Sequence, residues 1–377
     1  MRGFSASLLA AAALLCACSP ADQEKVTDRI ASVAAPSAAA AVPPPPPAPA
    51  EFQARIEELA RSFDGDVGIA VKDLQQGWAA SWQGEKLLPQ QSSMKIWLAV
   101  AVLDAVDQGR LRLDEPVVIR PNDLSVFNQP MVRPLVLDDG VHVATIDTLL
   151  RWALQKSDNA ATDILMRRLG GGPAVQAVLD RKGLTGVRIG VEERLLQPRI
   201  SGLEWRPEFI DGDLFNRARD QVGDAGREAA LEAYLRNPAD GATPIGTVNA
   251  LEALKKGWLL SPASTQKLLE ILSGGRGGGA RLKAGVPTEW VVAHKTGTGP
   301  DWHRVNAGFN DVGLLIAPDG RAYAAAVYIG RTERGVGERQ RLMAEVARVV
   351  AQHAGVPTPS PASVQVKAQP AAVASGD

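Results

Sequence analysis

Three short motifs with serine and lysine side chains occur in order along the chain: Ser92-Ser93-Met94-Lys95, Ser157-Asp158-Asn159 and Lys295-Thr296-Gly297. In the first motif, a helix would place Ser92 and Lys95 on the same face, because they lie three residues apart. A serine hydroxyl is a weak nucleophile that a neighbouring base or cation can activate. At the start of a helix it would also lie near free backbone N–H groups and the positive end of the helix dipole. This pattern predicts a nucleophilic serine at position 92.

Each motif is weak evidence when taken alone. A second S-x-x-K pattern runs from Ser264 to Lys267, but it follows Ser261-Pro262, which is typical of a helix N-cap and first helical residue. Ser-Asp-Asn alone is most often a turn or a cap, and Lys-Thr-Gly alone is usually a strand end. The evidence for a catalytic site is therefore the ordered set of three motifs with large gaps between them.

The elements around these motifs predict an α/β fold. The predicted strands and helices are a helix at Phe52–Phe63, strands at Asp66–Leu74 and Gly77–Trp82, a buried helix at Met94–Val106, strands at Trp290–His294, Asp311–Ala317 and Arg321–Ile329, and a closing helix at Val336–His353. Residues 107–287 form mostly helical segments broken by Gly and Pro. We expect an α/β part from about 51–106 and 288–355, a mostly helical second domain from about 107–287, and an active site between them.

The three motifs resemble those of the serine β-lactamase and penicillin-binding-protein superfamily, and residues 51–355 look most like a class A β-lactamase. Gly171-Gly172-Pro173 falls shortly after the second motif, as in that class. The segments Asn310-Asp311-Val312-Gly313 and His294-Lys295-Thr296-Gly297-Thr298 are similar to a subgroup that includes some extended-spectrum enzymes. The resemblance implies an antiparallel sheet flanked by N- and C-terminal helices.

The resemblance also implies catalytic roles. Ser92 would attack the lactam carbonyl and become acylated, and the backbone N–H groups of Ser92 and Thr298 would form the oxyanion hole. Lys95 would hydrogen-bond Ser92 and is a candidate base for acylation. Ser157 would relay a proton to the lactam nitrogen.

Substrate-binding roles follow in the same way. Phe127 occupies the position of an aromatic residue that flanks the cleft in this class. Asn159 would bind the acylamide side chain, and Lys295 and Thr296 would hold the carboxylate of the substrate, with assistance from Arg304. A cationic site suits β-lactams, which carry a carboxylate beside the ring.

Deacylation in class A requires a glutamate on a loop that activates water, and Glu193 lies at the expected distance after Ser157. Leu196 fits the usual pattern, whereas Gln197 replaces an Asn. Val191 stands where an Arg that pairs with an Asp across the loop is typical, so the loop must be held differently. Two alternatives remain, namely the adjacent Glu192 as the base and Glu193 as a solvated surface carboxylate. Residues 198–242 are longer than the usual connection to the next helix and form an insertion.

The N-terminus predicts export. Residues 1–17 carry one positive charge and a short apolar run, and Leu15-Cys16-Ala17-Cys18 resembles a bacterial lipobox with Cys18 as the lipidated residue. The alternative is an ordinary signal peptide cleaved near Ala17 or Ala21. With lipidation, the protein would be anchored in the cell envelope, facing the periplasm.

Low-complexity segments flank the expected catalytic body. Residues 18–50 form an Ala/Pro-rich linker that favours polyproline II, and residues 356–377 are expected to form a disordered tail.

The charge balance, with 41 Lys and Arg residues against 42 Asp and Glu residues, argues against nucleic-acid binding. Four histidines without ligand spacing, and cysteines at positions 16 and 18 only, argue against a metal centre, and no cofactor is expected.

The favoured function is hydrolysis of penicillins or cephalosporins by a lipid-anchored, monomeric class A-like β-lactamase that forms a Ser92 acyl-enzyme, with water activated by Glu193. The alternative enzyme is a penicillin-binding D-alanyl-D-alanine peptidase or transpeptidase, which would share the three motifs but lack the deacylating Glu. A non-enzymatic envelope binder is a third hypothesis.

Overall fold

The computed structural model describes residues 45–275 and 277–355. Cys18, the predicted signal and the predicted tail lie outside the described residues, as does most of the linker. The described residues belong to one unit that begins at Pro45. Across these residues, every helix is too short or too polar to cross a membrane.

The helices and strands agree closely with the prediction near both ends of the body. The α-helices are α1 (Ala50–Ser62), α2 (Lys95–Asp107), α3 (Val132–Asp139), α4 (Ile146–Gln155), α5 (Asn159–Arg168), α6 (Gly172–Arg181), α7 (Glu193–Ile200), α8 (Gly212–Gln221), α9 (Gly223–Arg236), α10 (Pro244–Lys255), α11 (Pro262–Ser273) and α12 (Val336–His353). The strands are β1 (Asp66–Asp73), β2 (Ala79–Trp82), β3 (Leu88–Pro89), β4 (Pro116–Ile119), β5 (His142–Thr145), β6 (Gly241–Ala242), β7 (Val291–Thr298), β8 (Asp301–Trp302), β9 (Val305–Asn306), β10 (Phe309–Ile316) and β11 (Ala322–Arg331).

The main sheet is antiparallel and five-stranded, in the order β2-β1-β11-β10-β7. Side chains alternate between its two faces because a strand has a period of two. Ile69 and Val71 of β1 thus pack against α1 and α12, whereas Ala70 between them joins the core formed with the central helices. Helices cover both faces, and the predicted mixed α/β class is confirmed.

One strand differs from its prediction in a way that affects the site. β7 does not stop at His294 but continues to Thr298, since Lys295 pairs with Val312 and Thr298 pairs with Phe309 of β10. Lys-Thr-Gly therefore lies within an edge strand rather than after its end. The strand geometry fixes the direction of each side chain in the motif.

The predicted insertion is folded and contains α8 and α9. It packs onto the rest of the body through two small apolar clusters. In one, Phe209 and Phe215 contact Val126; in the other, Leu231 and Tyr234 of α9 pack against α7. The insertion thus covers both the segment that precedes Phe127 and the helix that carries Glu193.

Candidate active site

Ser92 lies in a short 3-10 helix, Gln91–Met94, that leads directly into α2. The helix α2 is apolar nearly all round and buried along almost its whole length, so it is fixed by packing on every side. Ser92 itself is partly exposed, while Lys95 is 1% exposed. This arrangement presents the serine to the cleft and keeps the lysine beneath it.

The ammonium group of Lys95 is surrounded by acceptors. Lys95 Nζ donates to the Ser157 carbonyl oxygen at 3.0 Å and to Asn159 Oδ1 at 2.7 Å, lies 3.3 Å from Ser157 Oγ, and lies 3.2 Å from Glu193 Oε1. The expected hydrogen bond between Lys95 and Ser92 is not present among the described residues. The physical reason is that the three N–H donors of the ammonium are directed at these other acceptors.

Ser157 has a strained backbone, with φ at +55°. Asn128 Nδ2 donates to the Ser157 carbonyl oxygen at 2.9 Å, and buried Asp158 caps α5 through the backbone N–H of Ala161 at 2.9 Å. These contacts hold Ser157 Oγ between two lysines, 3.3 Å from Lys95 Nζ and 3.1 Å from Lys295 Nζ. The hydroxyl is therefore placed to pass a proton between neighbouring groups.

Lys295 is 4% exposed on the edge strand β7. Besides Ser157, its ammonium donates to the Thr296 carbonyl oxygen at 2.9 Å. Burial holds the pKa of Lys295 well below its usual value of 10.5, and the nearby charge of Lys95 lowers it further. An anion bound in the cleft would stabilise its charged form.

Gly297 brings β7 into contact with the helix start that carries Ser92. A Cβ at this position would lie 2.3 Å from the Gln90 carbonyl oxygen, so only glycine fits without a backbone shift. Asn310 Nδ2, from the adjacent strand, donates to the carbonyl oxygens of Pro89 and Gln90 at 2.7 and 3.0 Å. The part of β7 that leads into Thr298 is therefore packed directly against the helix start that carries Ser92.

Glu193 is the first residue of α7 and is 1% exposed, which excludes the solvated-carboxylate alternative. Its Oε1 faces Lys95 Nζ, and its Oε2 accepts a hydrogen bond from Gln197 Nε2 at 2.9 Å. Glu192 is the N-cap of the same helix and is partly exposed. Among the two neighbouring glutamates, Glu193 is the one in contact with the lysine.

Asp163 holds this loop, and sequence reasoning missed it. Asp163 Oδ1 accepts the backbone N–H of Glu193 at 2.6 Å, while Oδ2 accepts the N–H of Arg194 at 3.1 Å and the hydroxyl of Ser125 at 2.7 Å. Burial raises the pKa of Asp163 to about 7, and the neighbouring charge of Glu193 contributes in the same direction. Asp163 lies four residues after Asn159 in α5, and this spacing alone gives no sign of its contacts with the start of α7.

The substrate-binding residues of the prediction fall in different places. Asn159 is buried, and its Nδ2 donates to the Val126 carbonyl oxygen at 3.0 Å. Phe127 is 52% exposed with φ at +56°, and its ring packs edge-on against Phe215 of the insertion, with 5.0 Å between centroids. Thr296 is partly exposed on β7.

Arg304 lies exposed in the turn between β8 and β9, and nothing within residues 45–275 and 277–355 forms a polar contact with it. Arg281, which sequence reasoning missed, is a cation that contacts the end of β7. Its guanidinium donates to Thr298 Oγ1 at 2.7 Å and to the carbonyl oxygens of Gly297 and Asn310 at 3.0 and 2.6 Å. Burial lowers its pKa to about 10, which leaves it charged at neutral pH. Its place after a Gly-rich loop gave no periodic signal.

The comparisons with known proteins agree with this geometry. The family model described as the Beta-lactamase enzyme family matches residues 51–354. Beta-lactamase VEB-1 of Pseudomonas aeruginosa is 24% identical over 78% of this chain and 87% of its own length. The carbapenem-hydrolyzing beta-lactamase KPC of Klebsiella oxytoca is 27% identical over 79% of this chain and 87% of its own.

Solved structures give the same result. A beta-lactamase from Chitinophaga pinensis DSM 2588 has a TM-score of 0.67 and 26% identity, covering 81% of this chain and 99% of that one. The ancestral class A beta-lactamase GNCA has a TM-score of 0.64 and 30% identity, covering 80% and 99%. The chain belongs to the beta-lactamase enzyme family, and within it to the class A serine β-lactamases, which are hydrolases that act on β-lactams.

Proposed function

We propose that the enzyme opens the β-lactam ring of penicillins or cephalosporins through an acyl-enzyme at Ser92, which water activated by Glu193 then releases. The observation that carries this proposal is the buried contact between Glu193 and Lys95, 3.2 Å apart beneath Ser92. A carboxylate and an amine in this relation can exchange a proton. The same pair can therefore serve both halves of the reaction.

In acylation, the Lys95 ammonium cannot accept a proton, so it must first lose one. Transfer of that proton to Glu193 leaves a neutral amine that can take the proton of the Ser92 hydroxyl as its oxygen attacks the lactam carbonyl. Ser157 Oγ, between Lys95 and Lys295, passes a proton to the lactam nitrogen as the C–N bond breaks. The backbone N–H groups of Ser92 and Thr298 stabilise the negative charge on the carbonyl oxygen.

Before deacylation, Glu193 returns its proton to Lys95 across their 3.2 Å contact and is again a carboxylate. It then takes a proton from water as the water oxygen attacks the ester carbonyl of acylated Ser92. The ester C–O bond breaks, the acid product leaves, and Ser92 Oγ receives a proton through Lys95. Gln197 Nε2 donates to Oε2 and orients the carboxylate, while Asp163 holds its backbone. Oε1 takes no hydrogen bond of good geometry within the described residues, so a lone pair remains for the water.

Five residues around the cleft can recognise the substrate. The carboxylate beside the lactam ring would be held by Lys295 and Thr296 of β7, with the Arg281 guanidinium close behind at Thr298. Asn159 would bind the acylamide side chain of the substrate, and Phe127 would form the rim of the cleft beside it. A small anionic amide is the substrate class that this combination fits.

Turnover of a chromogenic cephalosporin by residues 45–355 tests the proposal. Ser92→Ala should abolish hydrolysis, because no acyl-enzyme can form. Glu193→Gln should release one equivalent of product in a burst and then stall, with the adduct on Ser92 visible by intact mass. Full turnover by Glu193→Gln would exclude Glu193 as the base. Cleavage of D-alanyl-D-alanine peptides without cephalosporin turnover would instead favour the peptidase alternative.

We also propose that the chain is exported and anchored by acylation of Cys18, on the support of the lipobox-like segment Leu15-Cys16-Ala17-Cys18. The chain offers a matched control, because Cys16 lies in the same segment. Cys18→Ser should move the enzyme from the membrane fraction to the soluble fraction of expressing cells. Cys16→Ser should leave the enzyme in the membrane fraction. Equal behaviour of the two variants would contradict lipidation at Cys18.

A further inference from the structure

A chain of buried and partly buried hydrogen bonds runs from Glu193 to the insertion. Gln197 Nε2 donates to Glu193 Oε2 at 2.9 Å and also faces Gln91 Oε1 at 3.3 Å. Gln91 Nε2 donates to the hydroxyl oxygen of Tyr234 at 2.8 Å. Tyr234 in turn donates to Asp240 Oδ1 at 3.0 Å, and Asp240 Oδ2 accepts the backbone N–H of Gln91 at 2.7 Å.

Asp240 is fully buried, and no Lys, Arg or His among the described residues forms an ion pair with it. Burial raises its pKa to about 6, and what stabilises its charge is the pair of donors from Tyr234 and the Gln91 backbone. Burial and the adjacent Asp240 together raise the pKa of Tyr234 well above 10, so the phenol keeps its proton and stays a donor. A neutral hydroxyl of the insertion, and not a cation, thus donates the side-chain hydrogen bond that stabilises the charge of Asp240.

The hydroxyl of Tyr234 sets the direction of the whole chain. Because it donates to Asp240, it can only accept from Gln91, which fixes Nε2 of that amide toward the tyrosine. Gln91 Oε1 must then face Gln197, which fixes the Gln197 amide as a donor. The remaining N–H of that amide is directed at Glu193. Reversal at any link would place an oxygen against the Glu193 carboxylate.

We propose that Tyr234, on the insertion helix α9, is a positioning residue for deacylation that acts on Glu193 through Gln91 and Gln197. The inference rests on the proposed role of Glu193. It gives the insertion a function in the second half of the reaction. Tyr234 does not touch the substrate in this scheme, and its effect is confined to the orientation of the general base.

The variant Tyr234→Phe removes only the hydroxyl, leaving Gln91 Nε2 with the Ala307 carbonyl oxygen at 3.3 Å as its acceptor. We expect deacylation to slow by about tenfold or more, because Asp240 loses a donor, Gln91 Nε2 loses its shorter hydrogen bond, and the Gln197 amide loses its fixed orientation. The rate of acylation should change by less than about threefold. With deacylation limiting, kcat and KM should then fall together while kcat/KM stays nearly constant.

The measurement is single-turnover and steady-state kinetics with a chromogenic cephalosporin, with the acyl-enzyme followed by intact mass. The matched control is Tyr323→Phe, a buried tyrosine of β11 in the core cluster that contains α1 and α12, which should leave both phases unchanged. A loss of kcat/KM equal to the loss of kcat, without accumulation of the adduct, would overturn the proposal. The acylation rate itself reports that the variant is folded.

A double-mutant cycle tests the route. If Tyr234 acts through Gln91, then Gln91→Met and the double variant with Tyr234→Phe should deacylate at the same rate. Additive losses would overturn the route through Gln91.

Glu193→Gln in the same assay separates the proposed function from the inference about Tyr234. If it turns over normally, the proposed function fails; if it stalls while Tyr234→Phe deacylates like the wild type, only the inference about Tyr234 fails.

Discussion

Asp163 shows at the scale of one residue how this loop is held. Its carboxylate accepts two backbone N–H groups at the start of α7 and one hydroxyl, yet it has no cation as a partner within the described part of the chain. The hydrogen bonds favour its charged form, whereas burial and the nearby Glu193 disfavour it. Since its pKa rises to about 7, burial is the larger effect.

This balance predicts a pH dependence of stability. The unfolded chain releases the Asp163 proton near pH 3.8 and the folded enzyme near pH 7, so the contribution of this group is fully present below pH 3.8 and is lost as pH rises to 7. Asp240, with a pKa of about 6, acts in the same direction. We expect Asp163→Asn to flatten the decline of the free energy of unfolding between pH 4 and 7, measured by urea denaturation. An unchanged slope would contradict the shift.

A matched control for this experiment is Asp180→Asn, because Asp180 lies at an exposed position of α6. The control substitution should leave the pH dependence of the free energy of unfolding unchanged.

At the scale of an element, α8 supports the rim of the cleft. Phe215 packs edge-on against Phe127 on one side and against Phe209 on the other, with 5.0 and 5.4 Å between ring centroids. Phe127 is half exposed and lies between residues whose backbones contact Asn159, through Val126 and Asn128. The insertion therefore fixes an aromatic surface beside the group expected to bind the acylamide.

Phe215→Ala should free the Phe127 ring and weaken recognition of bulky side chains. An aromatic pair contributes about 0.5–1.5 kcal/mol beyond its buried area, which predicts a rise in KM of roughly two- to tenfold for cephalosporins with aromatic acyl groups. For β-lactams with small substituents, KM should hardly change. Leu214→Ala, at the neighbouring exposed position, is the control. Equal effects on both substrate groups would show that Phe215 acts on stability alone.

The regular elements could be predicted because they carry periodic patterns. The closing helix was predicted at its observed bounds, Val336–His353, and the three late strands were placed within a few residues, apart from the extension of β7. That extension was missed because Lys and Gly have low strand propensity, and Lys295 and Gly297 are part of the strand only through their pairing with β10.

The site divides in the same way. The residues of the three motifs lie together. This could be predicted because each motif is local in the sequence and the resemblance implied its position in the fold. Asp163, Arg281 and Tyr234 were missed because their contacts are set by distant segments, as with Tyr234 and Gln91. Their spacing in the sequence carries no sign of that contact. Arg304 was an assisting cation only in what the resemblance implied, and it lies exposed in the turn between β8 and β9.

At the scale of the whole molecule, the two predicted parts share one core. Ala70, Val312 and Ala324 of the sheet belong to the same apolar cluster as Leu98 of α2 and Leu150 of α4. The sheet and the helices that carry the site are therefore joined by continuous apolar packing. The two walls of the cleft are held at a fixed separation, which suits chemistry that depends on placing Ser92, Ser157 and Lys295 within one hydrogen-bond network.

The cationic floor of this cleft has a consequence for how substrates arrive. With a formal net charge of −1, the chain as a whole would weakly repel an anionic β-lactam. Arg281 and Lys295 lie in the cleft, however, and a recessed positive charge focuses the local field toward its opening. Association should then be governed by this local field and weakened by counterions, since the Debye length falls from about 30 Å at 0.01 M salt to about 3 Å at 1 M. We expect kcat/KM for a carboxylate-bearing cephalosporin to fall several-fold over that range, whereas its methyl ester should show almost no dependence. A rise with salt would mean that the net charge, and not the floor of the cleft, guides the encounter.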